Sequence, residues 1–314
     1  MANERILFMK VLVISDIHAN IRALDTILRE EADYDLLCCA GDFTDYGISP
    51  REVLERFRQL KNTVLVYGNH DRHVINIYES GEWTNVADGK YKWVHYNCER
   101  LSEKDIDWMK QLPEKAYFEA DGWSYGIAHQ YDNGYGTVES RYAFDQYWNA
   151  SYGAECDGKR RLIFGHTHRQ CIHTLGEGME WINPGSISYR RPDDPDKTAH
   201  YAVILDGNIQ LKSIAYDRTL QLAEAKRLLK NDRMMRTELQ DFMFFLVMQK
   251  PQGIRCKILY QETAVSSAKG GSGSLFFFHC VDFPSYILYT KKYDYFTFWE
   301  NIIGENKRKR RGKS

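Results

Sequence analysis

Three short apolar runs, each closing on polar residues, set the tightest limit on what this chain can fold into. Lys10–Ser15 (KVLVIS) and Thr63–Tyr67 (TVLVY) are rich in β-branched residues, and Leu36–Ala40 is uniformly apolar. All three are too short for helices and read as buried strands. Between the first two, Ile21–Glu30 carries Ile21, Leu24, Ile27 and Leu28 at helical spacing. Pro50 follows the candidate N-cap Ser49 and opens a second helix through Leu60. This strand–helix alternation predicts a layered α/β domain with parallel strands.

The middle of the chain is less regular. Ser102 to Asp105 reads as a capping-box variant opening a short helix at Ile106 and Met109. Trp123–Ala128, Arg161–Phe164, Gln170–Thr174, Glu180–Ile182 and Ala199–Leu205 are strand candidates, and Asp206-Gly207 predicts a hairpin into Asn208–Ile214. Residues 217–250 carry a helical pattern with a break near Asn231-Asp232. After Pro251 the composition changes. Ala268 to Ser274 has linker composition, and eleven aromatics crowd Phe276 to Trp299 before the basic end. No periodicity assigns residues 251–314 a fold; an added module and a disordered tail both fit.

Charge narrows the partners. The chain has 42 Lys+Arg against 43 Asp+Glu, a net of −1. Six of those bases, Lys307 to Arg311 and Lys313, sit at the end, so the rest is mildly acidic. Nucleic-acid binding would therefore rest on the tail. The most apolar run, Leu275 to Leu288, is interrupted by His279, Asp282 and Pro284 and is too short to span a membrane. The first apolar stretch, Val11 to Ile14, runs straight into Asp16 and His18 without the small-residue cleavage pattern of a signal peptide. The seven cysteines show no CxxC spacing, which argues against a disulfide framework or a zinc–thiolate site and for a cytoplasmic location.

The chemistry gathers at strand ends. Asp16 and His18 follow the first strand, Asp42 the second, and Asn69, His70 and Asp71 the third. His129 follows Trp123–Ala128, and His166 and His168 follow Arg161–Phe164. Open α/β sheets bind ligands beyond the carboxyl ends of their strands, so five strands deliver these groups to one rim. Each group alone reads as an ordinary turn or a surface histidine; their joint occurrence in order is the informative fact. Oxygen and imidazole donors without thiolate suit Mn, Fe, Zn, Co or Ni. Seven such donors exceed one ion and suit two, with Asp42 as the bridging carboxylate on what reads as a central strand. Two divalent ions would clamp a phosphoryl group and ionise a bridging water as the nucleophile. His70 is then available to protonate the leaving oxygen.

The series Asp16-x-His18, Gly41-Asp42-x-x-Asp45, Gly68-Asn69-His70-Asp71, His129 and Gly165-His166-Thr167-His168 resembles the calcineurin-like metallophosphoesterase superfamily. It is most similar to the compact prokaryotic-type branch, which shares an Asn-Pro-Gly-Ser segment, here Asn183 to Ser186. The resemblance covers roughly residues 10 to 220. It implies an α/β fold, a two-sheet β-sandwich flanked by helices, with residues 1–216 as the catalytic domain and 217–250 as a helical extension. It also implies one metal at Asp16, His18, Asp42 and His168, and a second at Asp42, Asn69, His129 and His166. Manganese is the first expectation for both. His70 becomes the general acid, with Asp45 orienting its imidazole. Ala19 and Gln130 depart from the usual glycines. Tyr46 stands where the Ser/Thr phosphatase branch carries an arginine, which argues against close kinship with that branch.

These readings predict hydrolysis of a phosphodiester or phosphomonoester in a small phosphorylated substrate, nucleotides included. A nuclease using the basic tail and a non-catalytic metal-binding scaffold are the alternatives. Tyr131, Asp132, Asn133 and Tyr135 are candidates for the substrate mouth or a plain loop. Arg190 and Arg191 are candidates for a substrate phosphate or for a solvated surface. His73, His95, His173, His200 and His279 read as structural or exposed.

Overall fold

The computed structural model describes residues 9–153, 158–188, 197–230, 237–239 and 242, and the backbone of 262–263, 275–278 and 287–288. The first strands are β1 (Lys10–Ile14), β2 (Leu36–Cys39), β3 (Thr63–Leu65), β4 (Lys115–Ala120) and β5 (Trp123–Ala128). They are followed by β6 (Lys159–Ile163), β7 (Cys171–Gly176), β8 (Met179–Asn183), β9 (Ala199–Leu205) and β10 (Asn208–Ile214). The helices are α1 (Ile21–Glu30), α2 (Pro50–Gln59), α3 (Asn69–Ser80), α4 (Trp93–Cys98), α5 (Glu103–Lys110), α6 (Arg141–Tyr152) and α7 (Thr219–Lys230).

Two five-stranded sheets result. The first has the order β10-β9-β1-β2-β3, with β1, β2 and β3 parallel and β9 antiparallel to β1. The second has the order β4-β5-β6-β8-β7, with β5, β6 and β8 parallel. The β9–β10 hairpin turns at Asp206 and Gly207, both at positive φ, as a two-residue turn that follows strand twist requires.

The pleat of β1 explains the layering. Val11 and Val13 face the second sheet and pack with Ile127, Ile163 and Ile182, while Leu12 and Ile14 face α1 and α2 through Leu24, Ile27, Val53 and Leu54. A strand buried on both faces needs apolar residues throughout, which is why KVLVI reads as a continuous run. Each such fully buried side chain contributes ~1.5–3 kcal/mol. On the outer face of the second sheet, Phe144 and Trp148 of α6 cover Leu162 and Trp181. The sandwich is thus helices, sheet, sheet, helix, as the resemblance implied.

Several local expectations shift. β1 holds the centre of its sheet and β2 lies one strand further out, so Asp16 and not Asp42 follows the central strand. Ser49 occupies the N-cap of α2, but its side chain makes no capping bond; Pro50 and the Ser49 N–H to Ala19 carbonyl bond (3.0 Å) set that helix start. Ser102 does cap α5, donating from its hydroxyl to Asp105 Oδ2 at 2.7 Å while its N–H donates to the same oxygen at 2.8 Å. Within the 217–250 pattern, α7 ends at Lys230 and the chain is helical again at 237–239 and 242; the expected break near Asn231 lies outside the described residues. Leu228 of α7 packs with Phe242, Trp93 and Tyr96. A second unit, Lys250–Ser314, contains the antiparallel strands β11 (Glu262–Thr263), β12 (Leu275–Phe278) and β13 (Ile287–Leu288). The linker, the remaining aromatics, the basic end, His279, Arg190 and Arg191 lie outside the described residues. Among the described residues, no helix is long and apolar enough to cross a membrane.

Candidate metal centre

The carboxyl ends of β1, β2, β5 and β6 and the first turn of α3 converge across the top of the sandwich. Asp16 and His18 leave β1, Asp42 leaves β2, Asn69 and His70 open α3 beyond β3, His129 leaves β5, and His166 and His168 leave β6. Asp16, His18, Asp42, His166 and His168 all adopt positive φ, between 45° and 63°. Left-handed backbone is uncommon for residues other than glycine and concentrates at functional sites. Here it turns the chain sharply enough to aim each side chain inward. The turns are cross-braced: His18 N–H donates to the Asp42 carbonyl (2.9 Å), Asp16 N–H to the Gly41 carbonyl (3.0 Å), and His166 N–H to Asp16 Oδ1 (3.2 Å).

The residues expected at the first metal come together. Asp16, His18, Asp42 and His168 each offer a ligand atom within 4.8 Å of the others, with Asp16, His18 and Asp42 fully buried. His168 Nε2 lies 3.1 Å from Asp16 Oδ1 and 3.4 Å from His18 Nε2. The residues expected at the second also meet. His129 Nε2 is 2.9 Å from Asn69 Oδ1 and 3.1 Å from Asp42 Oδ2, and His166 Nδ1 is 3.0 Å from Asn69 Oδ1.

Hydrogen bonding behind the rings decides what faces inward. His18 Nδ1 meets the Thr44 carbonyl at 3.3 Å and His129 Nδ1 meets the Ala40 carbonyl at 2.6 Å. A carbonyl only accepts, so Nδ1 carries the proton on both rings; a neutral ring then presents its Nε2 lone pair to the cluster. Burial pushes His18 down to about 4, so it is neutral at physiological pH. Burial acts the same way on His129, but the Asp42 charge overrides it and lifts the ring to about 9. A cation bound there would release that proton. Asp16 Oδ2 and Asp42 Oδ2 are buried without a well-directed hydrogen bond. Buried carboxylate oxygens are normally satisfied, and two left over among imidazole and amide donors are what a divalent cation would satisfy. The donor set therefore fits two borderline metals.

Two glycines make this convergence possible. A Cβ on Gly68 would lie 2.0 Å from Asp42 Oδ1 and 2.6 Å from the Asp42 amide nitrogen; one on Gly165 would lie 1.9 Å from Ser15 Oγ and 2.8 Å from Asp16 Oδ2. Gly68→Ala is expected to displace Asp42 and weaken metal affinity ~10–100-fold, the range seen when a ligand's support is lost. Metal content after dialysis against buffered free Mn²⁺ measures this; unchanged content would show that Asp42 is not a ligand.

A second group adjoins the first. His70 Nδ1 bonds Asp45 Oδ2 at 2.9 Å, and His70 N–H donates to Asp42 Oδ1 at 2.9 Å. Burial opposes protonation of His70, but the Asp42 charge and the Asp45 bond outweigh it and raise the ring to about 9. Asp45 is held well below the usual carboxylate range: burial works against this, and the bond to His70 and the nearby His73 ring prevail.

Further residues brace the ligand turns; Asp71 and the Asn-Pro-Gly-Ser segment were singled out in the sequence and Asn97 was not. Asn97 on α4 is fully buried; its Oδ1 accepts the Asp45 N–H at 3.0 Å and its Nδ2 donates to the Gly47 carbonyl at 3.2 Å, fixing the loop that carries Asp45. Asp71 accepts from the Gly68 N–H (3.0 Å) and from the Thr44 N–H (3.0 Å) and hydroxyl (2.9 Å); burial and the nearby Asp42 push its carboxyl up to about 6. Asn183 donates to the Gly165 carbonyl at 2.6 Å, and Ser186 to the Asp16 carbonyl at 2.9 Å, which gives the Asn-Pro-Gly-Ser segment its place behind the ligand turns. The only available signal for Asn97 was a polar residue inside an apolar helix face. Tyr135 stacks on His166 with centroids 4.7 Å apart, so this part of the 131–135 loop does reach the rim. A shallow pocket beside it is lined by Tyr131, Thr137, Phe164, His166 and Asn183. Asp132 instead caps its own loop through the Gly134 N–H (2.8 Å). His95 and His173 are structural: one accepts the Lys92 N–H, the other stacks on Trp181. His73 is exposed, as expected, and lies 3.8 Å from Asp45.

A helix-flanked double sheet with Asp, His and Asn converging at its strand ends defines a metallohydrolase-type α/β sandwich. Residues 9–206 match the calcineurin-like phosphoesterase superfamily domain, and the chain belongs to that superfamily. An uncharacterised protein of Methanocaldococcus jannaschii is 28% identical over 230 residues, covering 66% of this chain and 88% of its own. A metallophosphoesterase from Sphaerobacter thermophilus superposes with a TM-score of 0.55 at 20% identity, covering 76% of this chain and 100% of that one. A hypothetical protein from Pyrococcus horikoshii gives 0.55 at 15% identity, over 74% of this chain and 97% of that one. At these identities the two structures speak to the fold.

Proposed function

We propose that the chain hydrolyses a phosphodiester or phosphomonoester in a small phosphorylated substrate, using two divalent ions. The reading rests on one observation: Asp16 Oδ2 and Asp42 Oδ2 are buried without a well-directed hydrogen bond amid imidazole and amide donors. Asp16, His18, Asp42 and His168 would hold one ion, and Asp42, Asn69, His129 and His166 the other. Such a pair supplies a Lewis-acid clamp on phosphoryl oxygens and a water ionised near neutral pH.

The chain's own groups account for the rest. His70, charged at neutral pH, donates a proton from Nε2 to the departing oxygen. Asp45 holds Nδ1 so that the ring keeps its orientation, and Asn97 holds the Asp45 loop. The edges of the Tyr46 and His18 rings flank His70, with centroids 4.9 Å and 5.2 Å away, and restrict how the ring tilts.

A panel of bis-p-nitrophenyl phosphate, p-nitrophenyl phosphate, a dinucleoside polyphosphate and single-stranded DNA, each with Mn²⁺ and after chelation, tests this. Mn²⁺-dependent turnover of at least one small ester supports the reading. Two bound ions with no turnover would indicate a scaffold. Turnover of DNA alone would indicate the nuclease.

A further inference from the structure

Asp45, His70 and His73 form a second candidate cation cluster beside the first, with one ligand atom from each within 4.8 Å of the others. His70 and His73 stand three apart on α3 and so share one face of the helix. Both direct Nδ1 at the same oxygen, Asp45 Oδ2, at 2.9 Å and 3.8 Å. Around a tetrahedral zinc ion with bonds near 2.0–2.1 Å, donor atoms stand about 3.3 Å apart. The two observed separations bracket that value. Asp45 is a fixed partner: its Oδ1 accepts the Tyr46 N–H at 2.8 Å and its own N–H is bound by Asn97, leaving Oδ2 for the two rings. The cluster also opens outward, because His73 is half exposed while Asp45 is buried.

From this geometry we infer that Asp45, His70 and His73 form an inhibitory zinc site, distinct from the proposed metal pair, with water completing the coordination. The inhibitory part rests on the role given to His70. Zinc takes the position of the His70 Nδ1 proton, which leaves to solvent, and the hydrogen bond to Asp45 is replaced by one bond from each group to the ion. The ring keeps a proton on Nε2 but can no longer carry both, so it is a weaker acid toward a departing alkoxide. Two histidines and one carboxylate with an open fourth position favour zinc over manganese, which takes oxygen-rich octahedral sites.

The test uses the full chain. Zinc bound per chain is measured by equilibrium dialysis over a range of buffered free Zn²⁺, for the wild type, His73→Ala and His73→Gln. The expected result is one further equivalent in the wild type that both variants lack. Co²⁺ in the same position should add visible absorption characteristic of tetrahedral coordination, absent from both variants. In parallel, hydrolysis of an alkyl phosphate ester, whose leaving oxygen needs a proton, is followed against free Zn²⁺. The variants should match the wild-type rate at low zinc and need at least tenfold more zinc for half-inhibition. Equal zinc uptake in all three proteins overturns the site, whatever the activity. A His73-dependent equivalent that leaves the rate untouched overturns the inhibitory role. A His73-dependent equivalent in a protein that turns over no ester upholds the site and refutes the phosphoesterase reading instead.

Discussion

Asp42→Asn is expected to remove turnover to background while the sandwich stays folded. In the proposed pair Asp42 would face both ions: its Oδ2 lies 3.1 Å from His129 Nε2 and 3.9 Å from His18 Nε2. The amide keeps the Oδ1 acceptor for the His70 N–H, so the backbone around α3 keeps its bond. What it loses is the negative charge among the surrounding imidazoles. Metal content should fall from two ions per chain to at most one, and the rate loss should exceed the ~10²–10⁴-fold typical of removing a general acid. Elemental analysis with far-UV circular dichroism checks both halves. Two tightly bound ions in the variant would refute the bridging role.

His70→Ala isolates proton donation from metal binding. Its ring is absent from both proposed ligand sets, so metal content should stay at the wild-type level. The rate should fall ~10²–10⁴-fold on an alkyl ester, whose leaving oxygen needs a proton, and much less on p-nitrophenyl phosphate, whose leaving group departs as a stable phenolate. Comparing kcat on the two substrates gives the readout. An equal loss on both would mean that His70 positions the phosphoryl group and does not act as an acid. The pH profile adds a sign: because the bond to Asp45 favours the charged ring, the wild-type rate on the alkyl ester should decline as pH climbs and His70 loses its proton. The alanine variant should lack that decline.

The sequence made β1 and β2 legible because these strands are buried on both faces and so appear as unbroken apolar runs. β5, β9 and β10 were legible for related reasons of patterning and turn chemistry. β4, with Lys115 and Glu119 interrupting its apolar residues, is an edge strand half open to solvent, and it offered no such run. Helix α3 was hidden because its first turn is the ligand turn, where Asn69, His70 and Asp71 are spent on the site. The candidate ligands were readable because each follows a strand. Asn97 and His73 were not, since neither follows a strand and both reach the site only through the packing of α3 and α4 against the Asp45 loop. Packing across distant segments leaves no local pattern in a single sequence.

The proposed ligands come from both sheets: Asp16, His18, Asp42 and Asn69 from the β1–β3 side, and His129, His166 and His168 from the strands facing it. Ions held between them would act as rivets through the seam of the sandwich. Because an unfolded chain lacks such a site, occupancy would raise the unfolding free energy by RT ln(1 + [L]/Kd), ~2.7 kcal/mol per site at a hundredfold excess over Kd. Heat resistance would then track metal supply, and chelation would loosen the two halves from one another before either lost its own strands.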